Sequence, residues 1–243
     1  MEKVKIYNLI ILDESGSMGV IKSATIQGFN EVVQTIKGTE QQFPEQEHYV
    51  SLTFFNSVGG IRTKLDRQKA SELLEISEET FQPNSQTPLY DAIGYSIVKL
   101  RNDIKTEKSP KVLVTIITDG EENASREYSS KQLAQIIKDL KRDGWTFTYI
   151  GANHNVKEAS EKISIEHHLS FQATEEDVRN MFLYERNARS VFYRGIRNGN
   201  TSRDFFTDET ADAEEKSHSD TAILIETKKE TLLEKLVRHF KKP

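Results

Sequence analysis

Three oxygen-bearing side chains alternate along one short stretch of the chain, Leu12-Asp13-Glu14-Ser15-Gly16-Ser17-Met18-Gly19. Asp13, Ser15 and Ser17 are hard donors, and Gly16 eases the turn between them. A loop of this kind suits a small hard cation such as Mg²⁺ or Mn²⁺. The alternative reading of the triplet alone is a solvated helix-capping turn. Two further positions offer oxygens. Asp119 lies in Thr118-Asp119-Gly120-Glu121-Glu122, and Thr87 lies in Gln86-Thr87-Pro88. Two carboxylates would just neutralise a divalent cation, and three hydroxyls add no charge. Mg²⁺ keeps near-octahedral geometry, so one coordination position would remain open to an outside ligand.

These residues need elements to hold them together. Residues 5 to 12 are nearly all apolar, which fits a strand buried on both faces of a parallel sheet. Ile21, Ala24, Gly28, Val32 and Ile36 recur at helical spacing and point to a helix stopping at Lys37-Gly38. Tyr49 to Asn56 alternates and, with Ile61 to Leu65 beyond Gly59-Gly60, reads as a hairpin that places one antiparallel strand at the sheet edge. Thr87 and Pro88 suit the N-cap and first position of a helix striped by Leu89, Ile93, Ile97, Leu100 and Ile104. Val112 to Ile117 is a second buried strand. Ser129 and Gln132 form a capping box for a helix that ends at Gly144. Strands at 145–150 and 169–173, a helix at 156–163 and a last helix from Glu175 to about Arg194 complete the pattern.

The alternation predicts an α/β domain, a doubly wound and mostly parallel sheet with one antiparallel edge strand and helices on both faces. In such sheets ligands bind beyond the carboxyl ends of the strands, where strand order reverses. Asp13 and Asp119 both follow buried strands, so they meet at one crevice if those strands are neighbours.

The spacing of Asp13, Ser15 and Ser17, with a distant Thr87 and a distant Asp119 before glycine, resembles the metal-ion-dependent adhesion site (MIDAS) of von Willebrand factor type A domains. The resemblance covers residues 5 to about 195. It implies that the two serines coordinate a cation directly, that Thr87 and Asp119 do so directly or through water, and that Asp13 acts mainly through water and loop hydrogen bonds. It also implies a partner protein whose Asp or Glu completes the metal's shell. The chain further resembles intracellular bacterial A-domain adaptors, such as those encoded beside tellurite-resistance or AAA+ ATPase genes. On this reading the domain occupies residues 1–197.

The remaining sequence changes character. Residues 198–221 read as an acidic, disordered linker, with seven acidic residues from Asp204 to Asp220 against Arg203 and Lys216. Residues 222–243 read as an amphipathic helix, with Leu232, Leu233, Leu236, Val237 and Phe240 on one face and a net charge of +3. That helix would dock on the domain, a partner or a membrane surface, in that order of preference.

Composition narrows the function classes. The net charge of −5 gives no global electrostatic case for nucleic acid. The absence of cysteine removes disulfides and thiolate chemistry. The apolar run near the N-terminus is too short to span a membrane, and the chain reads as cytoplasmic. The rival to a non-enzymatic interaction module is a Mg²⁺-dependent phosphohydrolase of haloacid-dehalogenase type. That chemistry needs a second carboxylate two residues after the first, where this chain has Ser15. No P-loop or nucleophile-elbow motif is present. Asp91 is expected to support the site without touching the ion, Glu14, Glu121 and Glu122 to flank it, and His167-His168 to sit at a loop edge. Trp145 and Phe147 read as core.

Overall fold

The computed structural model describes residues 3–199 and 205–206. Six strands form one sheet: β1 (Val4–Asp13), β2 (Gln46–Asn56), β3 (Gly60–Lys69), β4 (Lys111–Thr118), β5 (Trp145–Ala152) and β6 (His167–Phe171). Their spatial order is β3-β2-β1-β4-β5-β6. All pairings are parallel except β2 with β3, which is antiparallel at the edge. Five helices join them: α1 (Lys22–Gln42), α2 (Leu89–Asp103), α3 (Ser130–Arg142), α4 (Val156–Lys162) and α5 (Glu175–Arg197). A 3₁₀ turn at Gly16–Ile21 precedes α1.

The central strand shows how the sequence produces two cores. Side chains alternate across a strand. Tyr7, Leu9 and Ile11 of β1 join the cluster under α2, α3 and α4. Ile10 and Leu12 face the other way, into the cluster under α1 and α5. The expected doubly wound sheet with helices on both faces is therefore the observed fold. The chain leaves β1 for β2 on one side and returns to β4 on the other. Strand order reverses at the β1–β4 pair, where Leu12 lies level with Ile117.

One residue breaks the apolar run of β1. Asn8 is buried because Arg189 of α5 reaches it: a guanidinium nitrogen donates to Asn8 Oδ1 at 3.0 Å and another to Thr115 Oγ1 of β4 at 2.8 Å. Glu185, one turn earlier, accepts from Arg189 Nε at 2.8 Å. A buried guanidinium is tolerated only when paired and hydrogen-bonded in this way, and the network fixes α5 against the strand pair that carries Asp13 and Asp119.

Several boundaries differ from the sequence expectation. Helix α1 does not stop at Gly38 but continues to Gln42, because buried Thr39 carries it on and Phe43 N–H closes the last turn on Thr39 O. His167 and His168 are not at a loop edge; they open β6, paired with Thr148 and Tyr149. Phe205 and Phe206, inside the segment expected as linker, pack on the domain, with Phe205 buried against Leu113 and Ala188. The remainder of that linker and the expected helix at 222–243 lie outside the described residues. Among the described residues, no helix is long and apolar enough to cross a membrane.

Helices α1 and α5 cross closely at Gly28. A Cβ there would lie 2.1 Å from Phe182 Cδ2. Gly28→Ala should therefore destabilise the fold by about 1–3 kcal/mol through overpacking. Phe182→Ala in the same chain removes the clashing Cγ and Cδ2, so the double variant should lose less than the sum of the two single variants. Urea midpoints of the two single variants and the double variant check this; purely additive losses would contradict the close crossing.

Candidate metal centre

Five oxygen-bearing residues converge at the carboxyl end of the β1–β4 pair. Asp13 ends β1, and its carboxylate is the hub. Its Oδ1 accepts the Ser15 backbone N–H at 2.7 Å, which folds the loop back on itself. Its Oδ2 accepts the Thr118 hydroxyl at 2.6 Å, which ties β1 to β4. Thr118 Oγ1 also receives the Gly120 N–H at 3.2 Å and so shapes the turn that follows β4. Ser15 Oγ and Ser17 Oγ stand 3.2 Å apart, and Ser17 Oγ donates to Asp119 Oδ1 at 2.6 Å. Thr87 closes the group: a Cβ placed on Gly120 would lie 3.6 Å from Thr87 Oγ1 and 3.8 Å from Ser17 Oγ. Gly120 thus marks a cradle between the hydroxyls that any side chain would fill.

The structure brings all five expected residues together. Asp13, Ser15, Thr87 and Asp119 are buried, whereas Ser17 is exposed and opens the group to solvent. Burial raises the carboxyl pKa of Asp13 to about 6, against the lowering effect of Thr118 and the Ser15 amide, and nearby Asp119 raises it further. Asp119 is also raised, chiefly by burial.

The donor set can be tested against a cation. Asp119 Oδ2 is buried and accepts no hydrogen bond. A buried carboxylate oxygen without a donor is costly, and a coordinated cation would satisfy it. The hydrogen-bond donors to Asp13 are an amide and a hydroxyl, both neutral. Two acids and three hydroxyls, without sulfur or imidazole, form an oxygen site for a hard ion. Among the described residues, no group of three or more His, Cys, Asp or Glu is placed to hold a metal, so hydroxyls are essential to any site here.

Thr87 does not cap α2 as its position suggested. The helix begins at Leu89, and its first amides are capped from the neighbouring loop: Tyr90 N–H donates to Glu122 Oε2 at 2.8 Å and Asp91 N–H to Ser125 Oγ at 3.0 Å. This outside capping frees the Thr87 hydroxyl for the cluster. Asn123 Oδ1 holds the Thr87 amide at 2.9 Å.

Three acids expected in loose roles have structural ones. Glu14 does not flank the cluster. It is fully buried, accepting from Gln82 N–H at 2.7 Å and Asn56 Nδ2 at 3.0 Å, with Arg62 also paired to it. Glu122 accepts the Ala124 and Ser125 amides at 2.9 and 2.7 Å and is not a free loop residue. Asp91 accepts three amides, from Arg126 to Tyr128, and supports the loop after β4, as expected of a residue that does not touch the ion. Sequence reading missed Thr118 and Asn123 as positioning residues. Thr118 adjoins Asp119 and Asn123 lies in the same loop, and those positions with their hydrogen-bonding side chains were the only signals available. Asn153, at φ 60°, donates to Asp119 O at 3.1 Å and was likewise unmarked.

A family model described as von Willebrand factor type A domain matches residues 9–184. No curated protein matches the chain. Among solved structures, a von Willebrand factor type A protein from Catenulispora acidiphila is similar with a TM-score of 0.51 and 14% identity, over 80% of this chain and 43% of its own. The vWF domain of the type V pili tip protein Mfa5 from Porphyromonas gingivalis gives 0.52 and 11%, over 86% and 100%. Proximal thread matrix protein 1 from the mussel byssus, in a structure described with a zinc-occupied MIDAS motif, gives 0.52 and 15%, over 74% and 47%. This chain therefore spans less than half the length of the first and third of these proteins. At such identities the likeness shows the fold alone.

The raised Asp13 pKa has a signed consequence for the metal-free protein. Between about pH 4 and pH 6 the folded state holds a proton that the unfolded chain has released, so stability falls as pH rises through 6. Asp13→Asn removes that group while keeping an amide able to accept from Ser15 and to face Thr118. In EDTA the variant should melt at or above the parent at pH 7.5 and near it at pH 4, as read by circular dichroism. A lower melting point for the variant at pH 7.5 only would contradict the assignment.

Proposed function

The chain belongs to the von Willebrand factor type A domain family, and on that premise we propose that it is a divalent-cation-dependent protein-interaction module. The observation that carries the reading is the buried, donor-free Oδ2 of Asp119, aligned through Oδ1 with Ser17 and beside Ser15 and Thr87. In this reading Ser15, Ser17, Thr87 and Asp119 hold Mg²⁺ or Mn²⁺. Asp13 orients the loop through Ser15 and Thr118 and supplies negative charge. The cation, when bound, provides an electrophilic coordination position. Because only Ser17 among the five is exposed, that position faces solvent on the Ser17 side. An Asp or Glu of a partner protein is the ligand whose charge and hardness match it.

Support for an interaction role over catalysis comes from the chemistry of the loop. Ser15 occupies the position where a phosphohydrolase would need its acid, and Asp13 is held in loop hydrogen bonds on both oxygens. The structural relative with a zinc-occupied motif supports testing zinc beside magnesium and manganese. We further propose an intracellular, bacterial adaptor role for the whole chain, with a second contact through residues 222–243. An affinity pulldown with and without EDTA separates the two contacts: chelation releases a partner held by the metal and leaves one held by the tail.

The direct test is thermal. At about one hundred times its dissociation constant, a cation that binds only the folded state adds about 2.7 kcal/mol, or about 5–10 °C in Tm for a domain of this size. Mg²⁺ or Mn²⁺ should raise the melting temperature by that order, and EDTA should reverse it. Asp119→Ala and Ser17→Ala should abolish the shift. A shift that survives Asp119→Ala would place the cation elsewhere.

A further inference from the structure

A second feature lies beside the oxygen cluster and is not used by it. A half-enclosed cavity of about 200 Å³ opens between the start of α2, the loop after β4, the end of β5 and α4. Its walls continue the loops that carry the cluster. Leu89 and Tyr90 follow Thr87-Pro88, and Glu121 and Glu122 follow Asp119-Gly120. On the far side His154 follows Asn153, whose side chain holds the Asp119 carbonyl. The cavity and the cluster therefore share one rim.

The lining is divided by depth. Leu89 and Tyr149 are buried and Ala159 is half-buried, giving an apolar floor. The Tyr149 hydroxyl is engaged with His154 Nε2 at 3.2 Å, while His154 Nδ1 faces the Ala152 carbonyl, so neither ring seeks a new partner. At the mouth stand the exposed carboxylates of Glu121 and Glu158. Glu122 is nearby but committed to backbone amides. Lys162 is the one lysine or arginine in the lining, so with His154 counted neutral the three glutamates leave the cavity at −2.

An apolar floor below a ring of carboxylates fits a particular occupant. Lysine and arginine carry a long aliphatic stem and a charged head, and they lay the stem on apolar surface while the head stays at the polar rim. Tyr90 lines the same wall, packed on the core below and interacting with Lys162 at its hydroxyl. An acidic or phosphorylated side chain would meet net repulsion, and a purely apolar one would leave the carboxylates unmatched.

We propose that this cavity receives a lysine or arginine side chain of the same partner segment that gives its acid to the cation. The recognised segment is then an acid with a base within about three residues, a reach of about 10 Å of extended chain. This rests on the reading of the cluster as a metal-dependent acid-binding site. Glu121 and Glu158 act as specificity determinants, selecting among acid-bearing partners.

The test is selection from a random heptapeptide library with a fixed central Asp and a matched library with a central Asn, in Mg²⁺ and in EDTA, against the full chain. The expected result is Mg²⁺-dependent enrichment of the Asp library, with Lys or Arg enriched about threefold or more at one flanking position, the scale of a half-exposed ion pair. The paired substitution Glu121→Lys and Glu158→Lys should invert that flanking preference toward Asp and Glu. Enrichment of the Asp library without a basic preference, or a basic preference unmoved by the paired substitution, overturns the cavity assignment and leaves the metal reading standing. No Mg²⁺-dependent difference between the Asp and Asn libraries overturns both.

Discussion

The carboxylate of Asp13 sits at the one place where strand order reverses, and it is bonded on both sides. One oxygen takes the Ser15 amide and so shapes the loop after β1; the other takes the Thr118 hydroxyl and so locks that loop to the end of β4. The Ser17 hydroxyl, donating to Asp119 Oδ1, is a second link between the same two loops. Ser17 is thereby held within hydrogen-bond reach of both Ser15 and Asp119. The arrangement keeps an acid in a fully buried position, where its charged form is disfavoured. A cation beside it would offset that cost, which connects the energetics of the fold to the chemistry proposed for the site.

The rest of the rim depends on a division of labour among acids. Glu14, Asp91 and Glu122 are spent on structure. Glu14 and Asp91 each accept two or more donors from other loops, and Glu122 accepts two amides of its own loop and the Tyr90 amide at the start of α2. Glu14 reaches the segment before Thr87, and its own backbone is tied at both ends, by Phe55 O and by Asn84 N–H. Gly16 N–H in turn donates to Ser85 O at 2.9 Å, so the loops before and after the cluster form one connected ring. Among these rim acids, Asp119 keeps a buried oxygen without a donor. It is this contrast between committed acids and one uncommitted oxygen that distinguishes a candidate binding group from a capping group.

Behind the rim, two cores of ordinary aliphatic and aromatic packing hold the sheet between helix layers, and one buried polar network lies on the α5 face. Arg189 spans from α5 to Asn8 and Thr115, on the strand that ends at Asp13 and the strand that Asp119 follows. Breaking such a buried pair leaves an uncompensated charge, so the position of α5 and the geometry of the strand pair are coupled.

The amino-acid sequence by itself determined the elements and the five oxygens. Apolar runs on β1 and β4, helical stripes on α1 and α2 and the capping box before α3 each follow from local chemistry that needs no distant partner. The spacing of Asp13, Ser15 and Ser17, with Thr87 and Asp119 at element ends, was visible for the same reason. What the tertiary structure decided is everything that depends on residues far apart in the chain. Glu14 became an interior anchor only because Gln82, Asn56 and Arg62 converge on it. Thr87 lost its capping role because Glu122 and Ser125 supply the caps from another loop. The donor-free Asp119 oxygen and the cavity beside it exist only once β1, β4 and β5 are side by side. Local pattern fixes which groups a segment offers; burial and pairing across the sheet fix which of those groups remain free to bind.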